Sequence, residues 1–436
     1  MPAKSFLFTT FEGGGSVPPI LHVAEKLVAR GHRVRVMSDA CNRPEAEAAG
    51  VTFIPWARAP SKPYKSREFD TWDDWSQADP AEGFANIMQN VLAGPALAYA
   101  DDVIEELQRE PADLVVALEM LFGPPMACEA IKQKFVLLTA NIPLFPIGPG
   151  FLPLGPGLAP PRNAEEAAMV AEIAAASEAM LNAFVPTLNE ARQKLSLAPI
   201  SRVVDQHAPA EAILLGTAHA FDFAPEVLPP KVSYVGPQLG EPQWAQTWTS
   251  SFPAEDKRPL ALVSFSTTFQ NHAGVLQNVI DALAPLPMRA VVTLGGSISP
   301  DEVRGADNVT LVESAPHGAV MREASLVITH GGHGTLIKAL AHQLPMLILP
   351  HGRDQEDNAI RVTARGAGIK LERTSGVEAI RAALSRLLQE PSFAEAARAL
   401  GAQVALEAAN SPVIEMLEEF AQADTPAAPS RLLTLA

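Results

Sequence analysis

The sequence predicts an α/β protein made of two doubly wound, parallel-sheet domains. Three observations carry that expectation. At 436 residues the chain is too long for one ordinary domain. Short apolar strands alternate with amphipathic helices from its first residues, as in consecutive βαβ units. After an irregular stretch at 237–258 the same alternation restarts and runs more regularly to the C-terminal region.

The elements follow in order. SFLFTTF is a first strand and EGGGSVPP a turn. ILHVAEKLVAR is a helix, with Ile20, Val23, Leu27 and Val28 at helical spacing and Gly31 placed to end it. HRVRVMSD and VTFIPW are the next strands. Residues 56–80 break the rhythm with turn formers and three of the five tryptophans. A helical stretch at roughly 82–109 precedes two buried strands, ADLVVALEM and KFVLLTAN. Residues 142–162 are too rich in Pro and Gly for a long helix or central strand, which leaves a loop or the wall of an apolar pocket. An alanine-rich helical region at 163–195 leads to AEAILLGTAHAFD and VSYVGPQLG. The second half reads PLALVSFSTT, helix, RAVVTLGG, NVTLVES, helix, SLVITHGG, helix, PMLILPHG, helix, GIKLE, helix. The expected division is 1–236, a linker at 237–258, a second domain at 259–415 and a peripheral tail at 416–436.

Composition bounds the partners. A formal net charge of −16 argues against nucleic acid or an anionic membrane as the main partner, since both favour basic surfaces. Cys41 and Cys128 are the only cysteines, too few for a disulfide framework and in keeping with a cytoplasmic protein. The N-terminus lacks the basic start and apolar run of a signal peptide, and no apolar window has the length of a membrane span.

The densest chemistry lies in SLVITHGGHGTLIKALAHQLPMLILPHGRDQEDNA, residues 325–359. A strand ends at His330, and a glycine-rich turn leads into a helix. Such a helix start offers free backbone N–H groups and a positive dipole end, a site sized for a diphosphate. Gly331, Gly332 and Gly334 let the backbone approach an oxygen closely, Thr335 adds a hydroxyl and His330 a ring donor. The next strand ends in HGRDQ, which puts the Asp354 carboxylate and the Gln355 amide on the neighbouring loop, suited to vicinal sugar hydroxyls. Open α/β sheets bind ligands beyond the carboxyl ends of their strands. Phosphate and sugar together imply a nucleotide-sugar site.

These residues resemble the signature of the family 1 glycosyltransferases, the UDP- or dTDP-glycosyltransferases of the GT-B fold, of the bacterial natural-product type. GHRVRVMS, VSYVGP, VSFST and APH add to the resemblance, which covers nearly the whole chain. It implies two Rossmann-like domains facing each other across a cleft, an N-terminal one for the acceptor and a C-terminal one for the donor. It implies that His330, Gly332, Gly334 and Thr335 hold the donor diphosphate, with His333 a further donor contact. Ser266 and Thr267 would border the diphosphate, His317 would lie against the base, and Asp354 and Gln355 would bind the sugar. The implied enzyme is a metal-independent, inverting hexosyltransferase with no cofactor beyond its UDP- or dTDP-sugar donor, acting as a monomer or homodimer.

The sequence departs from the family pattern in three places. Lys338 stands where many members have a glutamate for the ribose hydroxyls. Ser16 takes the place of the usual histidine base, and Glu119 falls one position from the acid that orients that histidine. The base is therefore open: Glu119 acting directly or through Ser16, His351, or an acceptor acidic enough to need little help. Glu12 also lies in the first loop, and His22 is expected to pack along the first helix. The aromatic residues Trp56, Tyr64, Phe69, Trp72, Trp75 and Phe84, with Phe145 and Phe151, suit an apolar or aromatic acceptor. The alternatives are a nucleotide-sugar epimerase on the same fold and a non-catalytic relative that lost its base.

Overall fold

Two parallel sheets organise the chain, a computed structural model that describes residues 2–69, 80–240, 248–266 and 268–422. The first holds β1 (Ser5–Thr9), β2 (Arg33–Ser38), β3 (Thr52–Pro55), β4 (Leu114–Leu118), β5 (Phe135–Thr139), β6 (Ile213–Leu215) and β7 (Val232–Tyr234). Its order is β3-β2-β1-β4-β5-β6-β7. The connecting helices are α1 (Val17–Ala29), α2 (Arg43–Ala48), α3 (Pro80–Ile87), α4 (Ala96–Arg109), α5 (Gly123–Ile131), α6 (Ala164–Asn182) and α7 (Val185–Lys194). The second sheet holds β8 (Leu260–Ser264), β9 (Arg289–Thr293), β10 (Val309–Val312), β11 (Leu326–Thr329), β12 (Met346–Ile348) and β13 (Gly368–Lys370), in the order β10-β9-β8-β11-β12-β13. Around it lie α8 (Ala273–Leu283), α9 (His317–Met321), α10 (His333–Ala341), α11 (Gln355–Thr363), α12 (Val377–Gln389) and α13 (Pro391–Ala409). A last helix, α14 (Val413–Gln422), closes the described chain.

The central strands are buried on both faces. LVVAL of β4 and LALVS of β8 are buried throughout. Such strands carry apolar runs rather than alternation, because helices cover both sides of a parallel sheet. The helices bury one stripe each. In α1 that stripe is Val17, Ile20, Leu21, Val23, Ala24 and Leu27, and Gly31, at φ +87°, turns the chain out of it.

Strand order reverses direction once in each sheet, between β1 and β4 and between β8 and β11. Thr9 pairs with Ala117, and Ser264 with Thr329. The loops leaving those strands therefore splay apart and leave a crevice at their carboxyl ends.

The halves meet through specific contacts. Tyr234 donates to Asp222 at 2.6 Å, and Arg361 of α11 donates to the other carboxylate oxygen at 2.8 Å. Arg67 lies 3.8 Å over the Phe269 ring. The Pro- and Gly-rich segment at 142–162 is a loop that reaches the second domain: Ile142 is buried in that core, and Gly155 N–H donates to Asp357 of α11 at 2.7 Å.

The C-terminal end corrects the expectation of a peripheral tail from residue 416. Val413, Ile414, Leu417 and Ala421 of α14 are buried in the core of the first domain. Glu418 takes 2.6 and 2.8 Å contacts from Arg30 and His32 at the end of α1. The reason is the amphipathic pattern VIEMLEEFAQ, whose apolar stripe needs cover. Among the described residues no single helix is long and apolar enough to cross a membrane; α6 and α7 reach that length and composition only as a pair, bent by 41°.

Candidate functional site

The second-sheet crevice gathers most of the residues singled out in the sequence. Gly331, at φ +95°, makes the turn from β11, and Gly332 caps α10. The first main-chain bond of the helix runs from Leu336 to Gly332. The N–H groups of His333, Gly334 and Thr335 thus precede the hydrogen-bond ladder at the positive end of the dipole. The His330 ring lies on this turn: a Cβ at Gly332 would fall 2.7 Å from Nε2. Burial, then His351, His272 and Arg353, hold the His330 pKa well below its ordinary value against a bond to the Ser264 backbone, so the ring is neutral at pH 7.

His333 turns the other way. Its Nε2 meets the Thr217 hydroxyl at 2.8 Å, its ring also bonds the Ala140 backbone, and it packs edge-on against Phe221. Its ring joins the two domains, which corrects the expectation of a donor contact from that side chain. Spacing along the sequence cannot say which face the first residue of a helix presents.

The loop after β12 places Asp354 and Gln355 beside this cradle. Asp354 is half-buried; one oxygen accepts from Asn358 Nδ2 at 2.8 Å, and the same amide holds the Gly331 carbonyl at 3.0 Å. Burial raises the Asp354 pKa. Gln355 is buried and bonded within the protein. Its Oε1 accepts from the His351 and Gly352 N–H groups at 2.7 and 3.3 Å, and its Nε2 donates to Gln270 at 3.0 Å. In this arrangement Gln355 braces the loop beside Asp354.

Ser266 closes the crevice from β8. Its hydroxyl accepts from Thr268 N–H and Gln270 Nε2, each at 3.1 Å. His317, at the start of α9, has Nε2 3.2 Å from the Ser264 hydroxyl. Thr267 lies outside the described residues. Among the described residues no group of three or more His, Cys, Asp or Glu side chains is arranged to hold a metal ion.

The first-sheet crevice holds the two candidate catalytic residues. Ser16 precedes α1 and Glu119 follows β4, so both leave the strands that flank the reversal of strand order. Each is buried, and neither the Ser16 hydroxyl nor either Glu119 oxygen has a hydrogen-bond partner among the described residues. Burial pushes the Glu119 pKa up to about 8, which leaves it protonated at pH 7. Glu12 is held instead by local structure, accepting from Gly14 N–H at 2.8 Å and lying 3.3 Å from Lys65.

Nothing in the sequence singles out His207, in a 3-10 turn at Val203–His207. Its ring bonds the Glu119 backbone and stacks on Phe122, and burial lowers its pKa to about 4. Nε2 has no partner among the described residues.

The aromatic residues divide. Phe145 is buried against Phe122 and His207, with centroids 5.4 and 6.2 Å away, and Phe84 packs half-buried on the first core. Trp56 is a core residue: its indole donates to the Thr10 carbonyl at 3.0 Å and its ring meets Tyr99 edge-on. Tyr64 is exposed. Trp72 and Trp75 lie outside the described residues. His22 pairs with Glu25 at 3.2 Å; burial, Lys26 and Lys338 of α10 lower its pKa against the pull of Glu25. Lys338 thus lies within electrostatic reach of His22.

Comparison with known proteins bears on this geometry. Residues 277–420 match the family described as erythromycin biosynthesis protein CIII-like, C-terminal domain. The chain is 25% identical over 428 residues to 4'-demethylrebeccamycin synthase of Lentzea aerocolonigenes, covering 94% of this chain and 98% of that protein. It is 24% identical over 389 residues to demethyllactenocin mycarosyltransferase of Streptomyces fradiae, covering 85% and 77%. The crystal structure of the calicheamicin glycosyltransferase CalG4 superposes with a TM-score of 0.72 at 21% identity, covering 98% and 100%. The glycosyltransferase VinC, in complex with dTDP, gives 0.64 at 19% identity, covering 95% and 98%.

Proposed function

We propose that this chain is a family 1 glycosyltransferase of the GT-B fold, a reading that the family match over 277–420, the relatives and the structural neighbours support, and that it moves a hexose from a UDP- or dTDP-sugar to a hydroxyl of a small apolar or aromatic acceptor, with inversion and without a metal. The observation that carries this is the cradle at the start of α10. Three N–H groups ahead of the helical ladder and the neutral His330 ring converge beside the Asp354 carboxylate. An anion and a polyol are held side by side, as in a nucleotide sugar. That several relatives and structural neighbours are named as glycosyltransferases of antibiotics, one of them bound to dTDP, supports the choice of donor and acceptor class.

The reaction is a displacement. An acceptor oxygen forms a bond to the anomeric carbon as the bond from that carbon to the diphosphate breaks. Negative charge grows on the leaving diphosphate, where the helix end and His330 stabilise it. Asp354 orients the hexose, and the crevice between the sheets sets the line of attack. The acceptor proton passes to Glu119, directly or through the Ser16 hydroxyl. With a pKa near 8, Glu119 accepts a proton readily only on the alkaline side of neutrality. A phenolic acceptor, itself acidic, fits such a base.

The test is incubation with UDP- and dTDP-glucose and a panel of phenols. Release of nucleoside diphosphate with a glycoside of inverted configuration is expected. Failure of every nucleotide sugar to bind would overturn the proposal. Consumption of the donor without an acceptor, giving an epimer, would move the protein to the alternative reaction.

A further inference from the structure

Behind the cradle lies a cluster of which the proposed reaction uses only His330. Phe265, just past β8, is ringed by three imidazoles. His272 stacks on it at 5.7 Å, His330 stacks at 6.2 Å, and His351 meets it edge-on at 5.6 Å. His272 and His351 also touch each other, with centroids 5.9 Å apart. The three come from the loops that follow β8, β11 and β12, the three strands at the centre of the crevice.

His272 is 2% exposed, and neither of its ring nitrogens has a partner among the described residues. His351 donates through Nδ1 to the Leu349 carbonyl at 2.8 Å, while its Nε2 has no partner among the described residues. A buried polar atom without a hydrogen bond costs about 1–3 kcal/mol, and native proteins carry few of them. Three such nitrogens in adjoining rings are therefore a large concentration of unmet hydrogen-bonding capacity, and all three become donors only if their rings take up a proton.

The charges around them have one sign. Burial and His351 lower the His272 pKa to about 3; burial and Arg373 lower that of His351 to about 4, against the Leu349 carbonyl. His330 is lowered by burial, by the other two histidines and by Arg353. Among the described residues no carboxylate acts on any of the three. Asp354, the acid nearest along the same loop, is bonded to Asn358. Imidazoles set among guanidinium groups, with no counter-charge, form a place that an anion completes.

We infer that His272 and His351 are a second layer of the phosphate site, donating ring N–H bonds to the diphosphate of the nucleotide sugar and taking up a proton as it binds. The inference rests on the proposed donor site and deepens it. An anion against the rings favours their charged form, which reverses the effect of burial. Each imidazolium so formed adds a charge-assisted bond to the leaving group. Donor binding then draws a proton from solvent, and release of the diphosphate returns it.

The experiment is isothermal titration of UDP-glucose and dTDP-glucose into the full-length protein at about pH 6 and about pH 8, each in two buffers of different ionisation enthalpy. The diphosphate of a nucleotide sugar is esterified at both ends and exchanges no proton over this range, so any uptake belongs to the protein. Net proton uptake is expected, with affinity weakening up to roughly tenfold per pH unit for each proton taken up. His272→Gln and His351→Gln should each lower the uptake and weaken binding, with unchanged melting temperatures showing the fold intact. Binding with no proton uptake, or uptake unchanged in both variants, overturns the inference and leaves the donor site standing. Failure of both nucleotide sugars to bind overturns the donor site as well.

Discussion

Glu119 offers the sharpest test of how the first crevice is built. Its carboxyl is buried, lacks a partner for either oxygen among the described residues, and has its pKa raised from 4.5 to about 8. At about 1.4 kcal/mol for each factor of ten, ionising it in place costs about 5 kcal/mol. The unfolded chain gives up this proton above its ordinary pKa, whereas the folded protein keeps it. Between the two values the folded state binds more protons, so stability falls as pH rises. The penalty is about 1 kcal/mol near pH 5, about 3 kcal/mol near pH 7, and levels off above pH 8. Glu119→Gln keeps the shape and removes the titration. The stability of the variant relative to wild type should therefore climb by about 3 kcal/mol between about pH 5 and pH 8, read from urea unfolding at each pH. Parallel curves across that range would refute the account of a carboxyl held neutral by burial. The same substitution separates packing from chemistry, because turnover of the wild type should rise with pH toward about 8 while that of the variant stays low and flat.

Other outcomes follow from the second crevice and the C-terminus. His330→Ala should lower kcat by about 10²–10³, the usual effect of losing one donor to developing charge, with an unchanged thermal unfolding curve. Asp354→Ala should weaken donor use by about 1.5–3 kcal/mol, seen mainly in KM for the nucleotide sugar. Gly332→Ala places a methyl 2.7 Å from the His330 ring, so it should displace that ring and raise the donor KM while circular dichroism stays the same. A chain ending at Pro412 uncovers the apolar groove under Val413, Ile414 and Leu417. At about 1.5–3 kcal/mol for each large aliphatic side chain, it should unfold many degrees earlier or fail to remain soluble.

The sequence carried the sheets and the glycine turn because both depend on local pattern. Runs such as LVVAL and LALVS need no partner to be read as buried strands, and a run of glycines between a strand and a helix reads as a turn. Side-chain direction was not legible. Nothing in HGGHGT distinguishes the His330 ring on the cradle from the His333 ring bonded to Thr217. Asp354 and Gln355 are neighbours, yet one bonds Asn358 and the other is tied to His351, Gly352 and Gln270. Trp56 looked like a pocket wall because a lone indole carries no sign of its partner, here the Thr10 carbonyl. His207 and His272 stand among ordinary neighbours in the chain, and only the fold brings them to Glu119 and Phe265. The apolar stripe of α14 was readable in VIEMLEEFAQ, but not the domain it would cover.

The position of α14 bears on how the halves can move. The polypeptide passes from the first half to the second before β8, and returns to the first after α13. Two covalent tethers, rather than one, span the division. A single tether would let either lobe swivel in any direction, whereas a pair fixes an axis through both crossing points. A relative movement of the halves would then be confined to a scissor-like swing about that line.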